Sequence, residues 1–362
     1  MIAALGIPTR GGDAPPVELV SGLEAYRDTW IELAEAARNV FATWEWNDLW
    51  WRHYGDGRPL RIAVIRGEDD EVEAIVPLFL WSRRPLRTLR LIGHGHGDRL
   101  GPISRDGEAA AAENALRLAL ATERHDVFVG DWLGGDRDWA GVLGGRTVRT
   151  TGYPILPLRE ASWLDFLDAR SRRFRKSVRH TRNRLDRDHE VAFRAADETT
   201  LEADLDDAFR LHRARFRTHS GCLFCGAHER FQREFARVAF ERGWLRLLLL
   251  VIDGAPVACE YGFQFQDAYF AYQGGRNPAW DRHSVGFLLE VESIRRALEE
   301  GATEYRFLGG EEGYKYRYPT HDPRLETVVA PATRRGRAAA TGLATVLRLP
   351  GGKDLLRKIG SA

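Results

Sequence analysis

Residues 269–318 read YFAYQGGRNPAWDRHSVGFLLEVESIRRALEEGATEYRFLGGEEGYKYRY, and this stretch decides the fold. Tyr269–Gln273 alternates aromatic and small residues, as a half-buried strand does. From Leu288 to Glu300, apolar residues at Leu288, Leu289, Val291, Ile294, Ala297 and Leu298 form a helical stripe closed by Gly301. Thr303–Leu308 returns to strand, and Gly309-Gly310 breaks it. Between the first strand and the helix lies Gly274-Gly275-Arg276, then Arg282-His283-Ser284-Val285-Gly286. A helix N-terminus exposes unpaired N–H groups and partial positive charge, so this glycine- and cation-rich corner suits a phosphate. The plain alternative is a strand–loop–helix connection with a solvated Arg/His pair.

Working outward, 362 residues predict about two domains, each able to bury its own core. Hydrophobic residues at 44% and charged residues at 29% describe a globular protein. A formal net charge of +1 gives no global argument for a nucleic-acid partner, so any such argument rests on local clusters. The first 16 residues are rich in glycine and proline and are expected to be disordered, with no apolar run of a secretory signal. The apolar run Leu247–Ile252 is far short of the roughly 20 residues that span a bilayer, so no membrane insertion is expected. Three cysteines form no disulfide framework, and a reduced, cytoplasmic protein is expected.

The periodicity predicts a strand at Val17–Val20 and helices at Leu23–Ala37 and Trp44–Tyr54, the second loaded with core-packing tryptophans. Strands follow at Leu60–Ile65, Val72–Leu80 and Leu89–Ile92, then helix Ala109–Thr122 and strand Asp126–Gly130. In the second half, a helix from Ser162 through Arg187 carries dense cations. It is followed by strand Val191–Ala195 and helices Leu201–Phe216 and Ala227–Glu241. A hairpin Leu245–Gln264 turns on Asp253-Gly254, and a last strand lies at Glu326–Ala330. The order β-α-α-β-β-β-α-β thus occurs twice. The division expected is residues 17–157, residues 158–333 and a basic tail at 334–362, each domain being an α/β (α+β) unit with a mainly antiparallel sheet flanked by helices.

That order, with the segments RSRRFRKSVRHTRNRL (170–185), Leu211-His212…Arg215-Phe216, Asp253-Gly254…Ala258, Tyr272…Gly275…Pro278…Ser284…Gly286 and Phe307…Gly310-Glu-Glu-Gly-Tyr314-Lys315, resembles CelD/BcsL-type acyltransferases. These are tandem GNAT-superfamily proteins related to the FemAB aminoacyl transferases. The resemblance covers residues 160–320 by motif and the first half by element order. It departs from the family pattern at Gly309, where Arg is usual, at Gly313, where Pro is usual, and at Phe216, where Trp is usual. What it implies is a coenzyme A thioester as acyl donor, with the pyrophosphate on the helix after the fourth strand and the first domain degenerate.

On that reading the donor contacts are Tyr272, Gln273, Gly275, Arg276, Arg282, His283, Ser284, Val285 and Gly286. Acyl transfer to an amine must remove a proton, stabilise an oxyanion and protonate a leaving group. Tyr314 is the hydroxyl candidate near the thioester and Lys315 an anion or pKa-lowering partner. Glu311, Glu312 and Glu260 are the base candidates; structural or solvated roles are the alternatives. For the acceptor, Arg175, Arg179 and His212, with His96 and Asp98 from the Gly93–Asp98 loop, are the candidates.

The basic helix can track a polyanion such as tRNA, or be a solvated face with packed alkyl stems. His219, Cys222, Cys225 and His228 have metal-ligating side chains, but they crowd into one short segment without the spacing of a zinc site, so no metal is expected. The expected activity is acyl transfer from acyl-CoA to an amine or hydroxyl of a small molecule or a cell-envelope or polysaccharide precursor, by a monomer or homodimer. The alternatives are an aminoacyl-tRNA-dependent, peptide-bond-forming transferase and an inactive acyl-CoA-binding scaffold.

Overall fold

Asp253 and Gly254 both take positive φ, 50° and 79°, the geometry a two-residue hairpin turn requires. They join β10 (Leu245–Ile252) to β11 (Ala255–Phe265), the centre of the second sheet. The computed structural model describes residues 17–82, 84–105, 109–215 and 224–348; the expected disorder of residues 1–16 lies outside these.

The first half contributes β1 (Val17–Val20), α1 (Arg27–Ala37), α2 (Trp44–Tyr54), β2 (Leu60–Arg66), β3 (Val72–Ser82) and β4 (Thr88–Leu91). It continues with β5 (Ile103–Ser104), α3 (Ala109–Thr122), β6 (Val127–Gly134), α4 (Trp139–Val142) and β7 (Arg146–Thr151). The second half opens with β8 (Ile155–Pro157), α5 (Trp163–Asp168), α6 (Arg172–Asp188), β9 (Val191–Ala195), α7 (Leu201–Arg215) and α8 (Ala227–Glu241). After the β10–β11 hairpin come β12 (Ala268–Arg276), α9 (Val285–Glu299), β13 (Glu304–Arg306), β14 (Leu325–Pro331) and α10 (Arg334–Arg348).

Among the described residues the strands form one sheet in the order β1-β2-β3-β4-β6-β14-β7, with β5 on β3, and one in the order β8-β13-β12-β11-β10-β9. The twofold order read in the sequence is present. In each sheet a parallel pair, β4 with β6 and β12 with β13, is bridged by a helix, α3 or α9.

The halves exchange their last strands. β14 follows the second domain in sequence but lies between β6 and β7 of the first sheet, antiparallel to both. β8 precedes the second domain but edges its sheet, on β13. Residues 325–331, assigned above to the second domain, therefore complete the first, and residues 155–157 complete the second. The tail begins as α10, docked on the first sheet with Ala340 buried. The long basic helix is broken into α5 and α6, because Ser171 caps the second piece by accepting the Phe174 N–H.

The two cores are continuous. Trp46 of α2, fully buried, meets Phe231 and Phe235 of α8 edge-on and faces Tyr272 of β12. The predicted core role of the α2 tryptophans thus extends across the domain interface. Polar contacts fix the same interface: Tyr272 donates its hydroxyl to the His96 carbonyl at 2.7 Å, and Gly309 donates its N–H to Asp98 Oδ2 at 2.6 Å.

Candidate functional site

β12 and β13 pair only from Ala268 to Phe270 and from Glu304 to Arg306, after which β12 runs on to Arg276 with β11 alone. The sheet opens into a wedge there. A cavity of about 730 Å³ fills it, walled by β12, the start of α9 and the inner face of α6. Ala271, Gln273 and Gly275 line it from β12, and Phe174, Ser177 and Thr181 from α6, at helical spacing. Ser284, Val285 and Gly286 bring the N-terminus of α9 to its wall. Ser284 caps that helix with φ 57° and no side-chain hydrogen bond to it. Arg173, Arg276 and Arg317 add positive charge.

A second, smaller cavity of about 170 Å³ lies where the first domain meets this wedge. Gly95, His96, Gly97, Asp98 and Trp132 supply one side, and Leu308, Gly309, Glu312 and Lys315 the other. Arg215, Ala271, Gln273, Gly274, Phe307 and Tyr314 line both cavities. Tyr314 stands at that junction, and its hydroxyl takes part in no hydrogen bond among the described residues. Burial first, then the charges of Glu290 and Glu312, push its phenol above the ordinary range, so at neutral pH it offers a proton.

Asp98 is buried, and burial pushes its carboxyl up to about 6 against the Gly309 N–H and the Lys315 charge, which hold it down. His96 is neutral, lowered to about 3 by burial and then by His228. Its Nδ1 accepts from Trp50 at 3.2 Å and its Nε2 meets His228 Nδ1 at 2.9 Å, which fixes the tautomer and turns the ring into the interface.

Several candidates fall elsewhere. Tyr272 points to the opposite face of β12 from Gln273 and into the interdomain core, where it borders the smaller cavity and not the larger. Arg282 and His283 lie outside the cavity wall, Arg282 exposed and in contact with His283 at 3.1 Å. Arg175 donates to the carbonyls of Leu167, Asp168 and Arg170, closing the end of α5, and Arg179 is exposed on the outer face of α6. His212 is buried behind β12, lowered to about 4 by burial. A Cβ on Gly275 would come within 2.4 Å of the His212 backbone nitrogen, so glycine is what lets α7 pack there. Glu311 pairs with Arg324 at 2.7 Å, away from both cavities.

Lys315 is at the site but occupied. Its Nζ donates to the Leu308 and Gly309 carbonyls and pairs with Glu312 at 3.1 Å, so it holds the 308–315 turn in shape. Glu260 and Glu312 reach the cavities, as do Gln273, Gly275, Arg276 and Ser284–Gly286. The sequence reading missed Arg173, Arg215, Glu290 and Arg317. The one available signal was Glu290, an acid inside the apolar run of α9.

Of the histidine and cysteine cluster, His219 and Cys222 lie outside the described residues. Cys225 is disulfide-bonded. No metal-ligating group of three appears among the described residues, and no helix among them is long and apolar enough to cross a membrane.

Gly309 explains one family departure. A Cβ there would sit 2.0 Å from the Trp132 ring, so the tryptophan of the first domain fills the space an arginine would need. Gly309→Arg is expected to displace Trp132, cost about 1–3 kcal/mol through overpacking, and block the smaller cavity while leaving ligand binding in the larger one. Thermal melts with calorimetry on the variant check both parts.

Residues 172–316 match the family model described as an acetyltransferase (GNAT) domain. A search of curated proteins finds no match. Among solved structures, FemX superposes with a TM-score of 0.60 at 12% identity, over 86% of this chain and 97% of that one. A conserved protein of unknown function from Bacteroides thetaiotaomicron VPI-5482 gives 0.56 at 18%, over 88% and 100%. The C-terminal DUF2156 domain of a putative lysylphosphatidylglycerol synthetase from Agrobacterium fabrum gives 0.55 at 12%, over 90% and 97%. At these identities the likeness is one of fold. Residues 172–316 are therefore similar to a GNAT acetyltransferase domain, and the two-sheet α/β architecture around them is like that of FemX.

Proposed function

We propose that the protein is an acyltransferase of the CelD/BcsL type, moving an acyl group from a phosphate-bearing donor, acyl-CoA in the first instance, to an amine bound between the domains. The observation that carries this reading is the pair of adjoining cavities. The larger runs from a helix N-terminus with flanking arginines to an open strand edge, which suits an elongated donor with an anionic end. The smaller opens from the first domain onto the same Tyr314, which suits an acceptor. The first domain, residues 17–157 in this reading, shapes the acceptor side, and the reaction is a cytoplasmic one.

The acceptor nitrogen attacks the acyl carbonyl and forms the new C–N bond as the bond to the leaving group breaks. The proton lost by nitrogen goes to a carboxylate, for which Asp98 and Glu312 line the acceptor cavity. Tyr314 supplies a proton to the leaving group. Lys315 is a positioning residue that keeps Gly309 and Glu312 in place.

A second reading has its own observation. Arg172, Arg173, Lys176 and Arg179 are exposed on α6, and Arg173 lines the larger cavity, so a polyanionic carrier such as aminoacyl-tRNA can follow that surface.

Melting with acetyl-CoA, longer acyl-CoA and aminoacyl-tRNA separates these readings. Acyl-CoA is expected to raise the melting temperature, and Gly286→Asp, which puts a carboxylate at the α9 N-terminus, is expected to weaken its binding about tenfold or more. Unchanged affinity in that variant would remove the phosphate site. A shift with tRNA alone would favour the second reading, and no shift with any of them would leave an inactive scaffold.

A further inference from the structure

Two buried carboxyls face the larger cavity with half of each unused. Glu260 of β11 accepts at Oε1 from Tyr269 at 3.0 Å, from Tyr305 at 2.9 Å and from Ser293. Glu290 of α9 accepts at Oε1 from Tyr318 at 2.8 Å. In both residues Oε2 has no hydrogen bond or ion pair among the described residues, although they are only 9% and 8% exposed, and both line the cavity. The hydroxyls hold each carboxyl in place and leave its second oxygen for a ligand.

The charges around the pair do not neutralise it. Lys315 is tied to Glu312 and two carbonyls. Arg173, Arg215 and Arg276 also line the cavity, Arg215 donating to the Gly274 carbonyl at 3.3 Å and Arg276 paired with Asp281. Arg317 lowers Glu290 only as a minor influence, behind burial and the Tyr318 hydroxyl. The cavity is therefore polarised, with arginines and a helix N-terminus on some walls and two carboxyls on others. A ligand matched to both carries an anion at one end and N–H donors with positive charge at the other.

We propose that Glu260 and Glu290 bind an ammonium group, so that the acyl group delivered in this cavity bears an amine and the donor is an aminoacyl thioester or ester. This rests on the reading of the cavity as the donor site. An ammonium has enough N–H groups to meet both Oε2 atoms and compensates the charge that burial makes costly. Burial, and then the charge of Glu260 against the pull of Tyr318, hold Glu290 up to about 8, so at pH 7 it carries a proton before the ligand enters. Binding of an ammonium expels that proton. A neutral acyl chain does not.

The test uses hydrolysis-resistant probes on two carriers. One pair is coenzyme A bearing a 3-aminopropyl or a butyl thioether. The other is adenosine 5′-monophosphate bearing a 3′-amide-linked amino acid or its deamino counterpart. Calorimetry at pH 7, in buffers of different ionisation heat, reads affinity and proton release together. On whichever carrier binds, the amine-bearing probe is expected to bind about tenfold tighter than its isostere, with proton release. Glu290→Gln is expected to remove the preference and the proton release while keeping binding of unmodified coenzyme A or adenosine monophosphate. Glu260→Gln, on a different element, is expected to reduce the preference independently. Equal affinity for amine and isostere, or a preference that survives both substitutions, overturns the inference and leaves the donor reading standing. If neither carrier binds, the donor reading fails and takes the inference with it.

Discussion

Expressed separately, residues 1–157 and 158–362 are each expected to fail to fold, and to regain a cooperative melt when co-expressed. The cut falls at the boundary expected from the sequence, yet it separates both exchanged strands from their sheets. The first fragment lacks β14, leaving β6 and β7 unpaired along the edges it joins. Leu325, Val328, Val329 and Ala330 of that strand are all buried in the first sheet. At about 1.5–3 kcal/mol for each fully buried Val or Leu, losing the strand removes an amount comparable to the 5–15 kcal/mol that holds a typical domain together. The second fragment lacks β8, whose Leu156 is fully buried against β13, and carries β14 and α10 with nothing to cover them. Near-ultraviolet circular dichroism and thermal melts of each fragment, alone and together, decide the matter. A sharp melt from residues 158–362 alone would show that the interlock is dispensable.

This exchange marks where the sequence stopped being legible. Strand, helix and turn positions follow from local pattern: the aromatic alternation of β12, the apolar stripe of α9 and the Asp253-Gly254 turn all occur where their chemistry places them. Which sheet a strand joins is a long-range pairing, and the sequence of β14 is compatible with either.

The misassigned site residues fail for a different reason, since the rules needed to place them were available. Neighbours on a strand point to opposite faces, so Tyr272 turns into the aromatic interdomain core and reaches only the smaller cavity, while Gln273 lines the larger one as well. On α6, Phe174, Ser177 and Thr181 form one face, and Arg175 stands about 100° from Phe174 around the axis. Arg173 was hidden by the abundance of arginines beside it. Glu290 was hidden because its neighbours Leu288, Leu289 and Val291 made the stretch read as core. It is core by burial, and its unused oxygen becomes visible only once β12 and β13 are seen to part.

Asp98→Asn is expected to lower acceptor turnover by about 10²–10⁴-fold, to leave donor affinity unchanged, and to make the protein more stable above pH 6. The three parts have one cause. Asp98 comes from the first domain, lines the smaller cavity, and accepts the Gly309 N–H through Oδ2 at 2.6 Å. Burial is the largest influence on its carboxyl, which titrates near 6 in the fold against an ordinary value of 3.8. Between those values the folded protein keeps a proton that the unfolded chain has lost. Stability contributed by this group therefore falls as pH rises through that window, and the loss is complete above about 6. A difference of about two pKa units corresponds to roughly 3 kcal/mol as an upper figure. Asparagine still accepts from Gly309 and carries no charge, so the variant escapes that cost above pH 6 and gains nothing below pH 4. It also lacks a site for the acceptor's proton, so the rise in wild-type rate through pH 6 should disappear from its profile. Melts at pH 4 and pH 8, paired with rate–pH curves, measure these opposite shifts in one protein. A variant that is less stable than the wild type at pH 8 would show that the Asp98 carboxylate is held there as a structural ion rather than kept for chemistry. Full activity with the acid limb intact would place the base elsewhere, with Glu312 next in line.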